Sequence, residues 1–156
     1  MSDDNNAIRI IEAQTFHVGA VSRTEQECFS VPWSEQLIFE EIDHPDSIFL
    51  CAYYHGNFAG FGTFRNICGE AHITNLAINR CYRRCGIASA IMDELILKAY
   101  ENKIHELTLE VRASNIEAIA LYEKFGFQIL GIRRNYYTDN NEDALIMWKY
   151  QNGESQ

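Results

Sequence analysis

His72-Ile-Thr-Asn-Leu-Ala-Ile78, then Arg83-Arg-Cys-Gly-Ile-Ala88, then the apolar run Ile87 to Tyr100 decide the fold. The first piece alternates apolar and polar residues and reads as a strand. The last is apolar on nearly every face and reads as a well-buried helix. A strand therefore feeds a glycine-containing turn, which feeds a helix. The first backbone N–H groups of a helix have no partner inside it, and with the positive end of the helix dipole they suit phosphate. Gly86 lets the backbone come close to a ligand, and Ala88 adds little bulk. Arg80, Arg83 and Arg84 crowd the same turn, so a pyrophosphate is its natural guest. From this loop alone an ordinary strand-to-helix turn is an equal reading. Neither G-x-G-x-x-G nor Gly-Lys-Ser/Thr is present, which excludes the dinucleotide and nucleoside-triphosphate loops.

Outward from this core, Ile8 to Ala13 reads as a strand and Val18 to Cys28 as a helix. Ser34 is a helix N-cap followed by Glu35, and His44-Pro45 ends that helix. Ile48 to Tyr54 and Phe58 to Arg65 flank a hairpin turn, His55-Gly-Asn57. Ile104 to Arg112 is a fifth strand, with Leu107, Leu109 and Val111 on one face and Thr108, Glu110 and Arg112 on the other. Ser114-x-x-Glu117 is a capping-box pattern for the next helix, and Gly126 is a natural stop. Phe127 to Arg134 and Ala144 to Tyr150 close the sheet, with Tyr136 to Asp143 as the loop between them. The expected class is α/β. One domain is expected over residues 7–151, with flexible tails at 1–6 and 152–156.

The 156 residues are 47% apolar and 22% charged, ordinary for a globular protein. No apolar run reaches the length of a membrane span, and the acidic start Met1 to Asn6 does not read as a signal peptide. Five scattered cysteines, Cys28, Cys51, Cys68, Cys81 and Cys85, argue for reduced thiols and a cytoplasmic setting. Cys81 and Cys85 lack the second pair that a zinc site needs, so no metal is expected. The net charge of -9 lacks the basic footprint of a nucleic-acid binder. Thr24 to Phe64 holds seven acids and no Lys or Arg, while arginines gather at the phosphate turn. That asymmetry suits an anionic ligand at one end and a cationic one at another.

Arg83, Gly86 and Ala88 fit the pattern Gln/Arg-x-x-Gly-x-Gly/Ala. The chain thereby resembles the GCN5-related N-acetyltransferases (GNAT), whose coenzyme A pyrophosphate signature this is. Glu70 to Ile78 is similar to the family's fourth strand, and Leu107 to Asn115 to its fifth strand and the turn after it. Ala118 to Phe127 is similar to the following helix and its stop. Arg133-Arg-Asn-Tyr-Tyr137 and Glu142 to Met147 resemble the closing strands. Phe29 to Ser34, with its Pro-Trp-Ser, resembles the start of the second helix in the RimI branch, the ribosomal-protein-alanine N-acetyltransferases. The resemblance covers about residues 8 to 150. It implies the GNAT fold, a single mixed, mostly antiparallel central sheet flanked by helices. It also implies acetyl-CoA as co-substrate, bound by Leu76, Ala77, Ile78, Arg83, Arg84, Cys85, Gly86, Ile87, Ala88, Asn115 and Tyr122. Where the family commonly has a basic residue this chain has Cys85, and Arg83 and Arg84 stand ready to offset the missing charge.

Acetyl transfer to an amine needs a base for the ammonium proton, stabilisation of the carbonyl oxygen and an acid for the leaving thiolate. From spacing alone Glu110 reads best as a strand carboxylate paired with Arg112; the resemblance instead implies that it is the base. His72 and Glu70 are its rivals. Asn115, Ile119 and Tyr122 form one helical stripe. There the resemblance assigns Asn115 to the pantetheine arm and Tyr122 to protonating the sulfur. It places the oxyanion on a backbone N–H near Leu76 to Ile78, where the fourth and fifth strands splay. Tyr136 and Tyr137 would gate a peptide N-terminus, with Trp33 and His72 also on the acceptor. The implied reaction is direct attack in a ternary complex, with no acyl-enzyme. The acceptor implied is the N-terminal alanine of small-subunit ribosomal protein number eighteen, presented on a basic N-terminal peptide to a monomer. A polyamine or aminoglycoside acceptor, and a non-catalytic coenzyme A-binding module, are the alternatives.

Overall fold

The computed structural model describes residues 7–151, and both expected tails lie outside them. In chain order the elements are β1 (Ile8–Glu12), α1 (Val18–Cys28), α2 (Glu35–Asp43), β2 (Ser47–Tyr54), β3 (Asn57–Ile67) and β4 (Glu70–Ile78). They continue with α3 (Ile87–Glu101), β5 (Glu106–Arg112), α4 (Ile116–Lys124), β6 (Gln128–Tyr137) and β7 (Glu142–Tyr150). The seven strands form one sheet in the order β1-β2-β3-β4-β5-β7-β6. β4 and β5 are parallel, joined by the crossover that a parallel pair needs, here through α3, while β1–β2, β5–β7 and β6–β7 are antiparallel. The expected class, a mixed and mostly antiparallel sheet flanked by helices, is borne out.

The described residues fall into two compact units, one reaching Phe64 together with Asn75–Lys98, the other Arg65–Thr74 together with Ala99 onward. In the first, His55 and Gly56 both take positive φ, 49° and 85°, and make the two-residue hairpin turn that such a pair favours. Val21, Ile38, Phe49, Cys51, Phe61 and Ala77 form its core cluster, against which Phe29 and Trp33 pack. Ile87, Ile91, Met92 and Leu95 bury the inner face of α3. Gly62 lets β3 approach that face, since a Cβ there would stand 2.5 Å from Ile91 Cγ2. Ser34 caps α2, its hydroxyl accepting the Leu37 N–H at 3.1 Å.

In the second unit the ladder of β5 on β7 runs without a break from Glu106↔Tyr150 to Arg112↔Ala144. Thr108 sits on the expected polar face of β5 yet is 5% exposed, its hydroxyl donating to the Met147 carbonyl at 2.9 Å. Two local expectations are corrected. The cap of α4 is Asn115, whose side chain accepts the Ala118 N–H at 3.2 Å. Ser114 is drawn off instead, its N–H donating to Glu142 Oε2 at 2.7 Å. Tyr136 and Tyr137 belong to the end of β6 rather than to a loop, because pairing with β7 persists to Tyr137↔Glu142 past a register shift.

Candidate active site

The glycine turn at Arg83–Ala88 is built from backbone. A short 3-10 turn, Arg80–Tyr82, follows β4, then Arg84 and Gly86 take φ of 65° and 81°. The Gly86 carbonyl accepts the Ala90 N–H at 3.1 Å and so opens α3, leaving the first-turn N–H groups of a 15-residue helix beside an exposed glycine. A Cβ built on Gly86 meets nothing within 4 Å, so this glycine is fixed by its φ and by the open space a ligand would take. Arg83 braces the turn from behind, Nε donating to the Ile78 carbonyl at 3.3 Å and Nη2 to Cys28 Sγ at 3.4 Å. Cys85 stays within its own turn, Sγ donating to the Arg83 carbonyl at 3.6 Å. Such a cradle fits a pyrophosphate.

The parallel ladder between β4 and β5 covers Glu70–Ile73 against Glu106–Leu109 and ends there. β4 continues to Ile78 and β5 to Arg112. At Gly60 a Cβ would collide with the Ala77 carbonyl and Ile78, so β3 closes tightly on Leu76–Ile78 from its own side.

Glu110 does not pair with Arg112. Its carboxylate forms an ion pair with Arg133 of β6, and the Tyr136 hydroxyl donates to it. Burial, then that contact with Glu110, push the Tyr136 pKa up. The Glu110 side chain keeps 30% exposure, so a ligand can reach it. Arg112 is held elsewhere, donating to Asp139 Oδ2 at 2.9 Å, Asn140 Oδ1 at 3.2 Å and Glu142 Oε1 at 3.3 Å. Its guanidinium lies 4.0 Å from the Tyr137 ring centroid. Bonds from Ser114, then from Asn140 and Arg112, hold the Glu142 carboxyl down at about 2. This cluster fixes Tyr137, which meets Tyr136 edge-on with centroids 5.1 Å apart.

Tyr122 owes its place to the end of α4. Phe127 N–H donates to the Tyr122 carbonyl and Gly126 N–H to the Glu123 carbonyl, each at 3.0 Å, with Gly126 at φ 93°. This is the Schellman stop, and its usual apolar contact is here the Tyr122 ring on Phe127, centroids 5.9 Å apart. Tyr122 is 8% exposed. Burial, then the neighbouring Tyr137, push its pKa up to about 12. Asn115 spends its side-chain oxygen on capping. His72 Nε2 lies 3.1 Å from Glu70 Oε1, and Trp33 is half-buried at the start of α2. Among the described residues no group of three or more His, Cys, Asp or Glu could hold a metal, and no helix is long and apolar enough to cross a membrane.

Two parts of this arrangement are not local in sequence. Arg133 reaches Glu110 from β6, and Asp139 of the β6–β7 turn and Glu142 at the start of β7 reach Arg112. Their only sequence signal is proximity to the tyrosine pair.

A strand, glycine turn and helix in this sheet order belong here to a transferase of acyl groups, as the similarity to known proteins shows. The chain belongs to the acetyltransferase (GNAT) family, whose model matches residues 18–127. It is an N-acetyltransferase. It is 37% identical over 140 residues to the [ribosomal protein bS18]-alanine N-acetyltransferase of Escherichia coli K12, covering 88% of this chain and 94% of that protein. The crystal structure of the Escherichia coli ribosomal-protein-S18-alanine N-acetyltransferase superposes with a TM-score of 0.85 at 35% identity, covering 92% and 93% of the two chains. Ard1 from Thermoplasma volcanium gives 0.85 at 32% identity, covering 92% and 97%. The resemblance to the RimI branch is thus borne out.

Proposed function

We propose that the protein transfers the acetyl group of acetyl-CoA to the α-amine of an N-terminal alanine, that of ribosomal protein bS18. The observation that carries this reading is the Glu110 carboxylate at the open end of β5, partly exposed and gathered with Tyr136 and Arg133. The relatives named for that reaction support the acceptor.

The N–H groups of Arg84 to Ala88 and the dipole of α3 hold the coenzyme's pyrophosphate, Leu76 to Ile78 and Asn115 its arm. When bound, the coenzyme supplies an activated acyl carbon. Glu110 accepts the proton that the acceptor ammonium must lose before its nitrogen can attack. A backbone N–H near Leu76 to Ile78 meets the charge that develops on the carbonyl oxygen. Tyr122 gives its hydroxyl proton to the departing sulfur. A hydroxyl at about 12 stays protonated at neutral pH, the state an acid needs. Tyr136, Tyr137, Trp33 and His72 contact the peptide. No cysteine takes part, so no acyl-enzyme forms.

The test offers acetyl-CoA with a basic peptide beginning Ala-Arg, the same peptide N-terminally blocked, and spermidine, reading thiol release and acceptor mass. Acetylation of the free peptide alone, on its α-amine, is expected. Acetylation of spermidine or of a lysine side chain would overturn the acceptor and keep the reaction.

A further inference from the structure

Glu25 is a carboxylate cut off from water with no role in the reaction above. It lies in the last turns of α1 and is 0% exposed. Its Oε1 accepts the backbone N–H of Trp33 at 2.7 Å. Its Oε2 accepts the side-chain amide of Asn75 on β4. Burial pushes its pKa up, and these two N–H donors pull it back. Next to it Thr24, 1% exposed, donates its hydroxyl to Oδ1 of Asn79, which lies just past the end of β4 and four residues beyond Asn75. Consecutive residues of α1 are thus bonded to Asn75 and Asn79.

A buried carboxylate is a costly choice where a leucine would fill the space, and it is tolerated only when its oxygens are bonded. The expense is explained by what the oxygens hold. Residues 29 to 34 carry no helix or strand. Pro32 has no N–H to offer, so Trp33 N–H is the first donor after it that can tie this segment down. The indole behind that N–H packs half-buried against the core cluster. The other oxygen reaches Asn75, the residue immediately before Leu76 to Ile78. One side chain therefore sets the Trp33 backbone against the strand assigned to the acyl oxygen.

We infer that Glu25 is a positioning residue for the acceptor amine, acting through Trp33, with Asn75 holding the second oxygen of its carboxylate. This rests on the assignment of Trp33 to the acceptor. Glu25→Ala removes both acceptors. Glu25→Gln keeps one for Trp33, and the Asn75 amide can turn its oxygen toward the new N–H.

The experiment measures both KM values and kcat for the two variants, and acrylamide quenching of Trp33 in a Trp148→Phe background. The quenching reads the tie with no acceptor present. Expected for Glu25→Ala is a rise of about tenfold in the Ala-Arg peptide KM, the scale of an unmet buried donor. The acetyl-CoA KM stays within about twofold, and quenching of Trp33 increases. Glu25→Gln restores both readings to near the wild type. Equal rises in the two KM values, a loss confined to kcat, or unchanged quenching would overturn the inference. Should Glu25→Ala not fold, Asn75→Ala takes its place with the same signs, and an unchanged peptide KM there overturns it. If the wild type acetylates spermidine rather than peptide, the acceptor reading falls. The same KM split, measured on spermidine, still decides Glu25.

Discussion

The turn at Arg83–Ala88 and the cluster around Glu110, the two halves of the proposed site, are built by opposite means. The turn offers backbone N–H groups, fixed by two positive φ angles and the start of a helix. The cluster offers side chains, and each is held by a partner far along the chain: Glu110 by Arg133, Arg112 by Asp139 and Glu142. A backbone site tolerates changes of side chain so long as the path of the chain is kept. A side-chain site fails with one atom. The variants that test this contrast should therefore differ in kind as well as size.

The largest loss belongs to the side-chain site. Glu110→Gln keeps the shape and removes the proposed base, so turnover is expected to fall by about 10²- to 10⁴-fold, the usual scale of general-base catalysis. Acetyl-CoA binding by calorimetry stays the same. A negligible loss would move the role to His72 or Glu70, which sit 3.1 Å apart. Tyr122→Phe comes next, with turnover down about 10²-fold and an unchanged melting temperature. Its backbone carbonyl and ring carry the Schellman stop, and neither needs the hydroxyl. Because that hydroxyl ionises at about 12, wild-type turnover should show no fall near pH 10. A fall there that Tyr122→Phe abolishes would mean the hydroxyl titrates in the normal range.

The backbone site should respond to conformation instead. Gly86→Ala forces a Cβ into φ 81°, where there is room but an intrinsic cost of about 1–2 kcal/mol. The acetyl-CoA KM should rise about 5- to 30-fold while kcat at saturation is kept. Cys85→Ala, which leaves φ alone, should change neither beyond about twofold, as surface substitutions usually do. Equal effects from the two would show that side chains matter at this turn after all.

The same contrast explains what could be read in the sequence. The sheet, its helices, the phosphate turn and the Gly126 stop follow from periodicity and from glycines whose local geometry has few solutions. The roles proposed for Glu110, Tyr122 and Asn115 come through family resemblance alone, since a lone carboxylate on a strand face has no local signature. Arg112 was the expected partner of Glu110 because residues two apart share a face. The antiparallel return of β6 and β7 brings Arg133 and Glu142 in, and an ion pair follows spatial approach, not sequence spacing. The capping box failed for a related reason: Glu142 claims the Ser114 N–H, and the cap moves one residue to Asn115. Glu25 is one of the seven acids between Thr24 and Phe64, with nothing in the sequence to set it apart, and only the fold shows it buried.

Acid should separate the two regions by the smallest effect. His17, 2% exposed, stands in the first unit with Nδ1 accepting the Gln14 N–H at 2.8 Å and Nε2 3.1 Å from the Tyr53 hydroxyl. The Gln14 bond needs an unprotonated Nδ1. Burial lowers the His17 pKa below its usual 6.5, so the unfolded chain takes the proton first. Its contribution is whole above 6.5 and is lost as pH falls from there toward the lowered value. Glu142 has the same sign in another window. Its carboxyl is held at about 2 against a usual 4.5, so its contribution is whole above 4.5 and is lost on the way down to about 2. Between pH 6.5 and 4.5 only the first should weaken. Amide hydrogen exchange, expressed as protection factors, reads this directly. Protection at Gln14 should fall with pH over that range while protection at Ser114, whose N–H is bonded to Glu142, holds. If Ser114 opens first, the Arg112–Glu142 cluster is not what orders the end of β6, and the contrast between a backbone site and a side-chain site loses its physical basis.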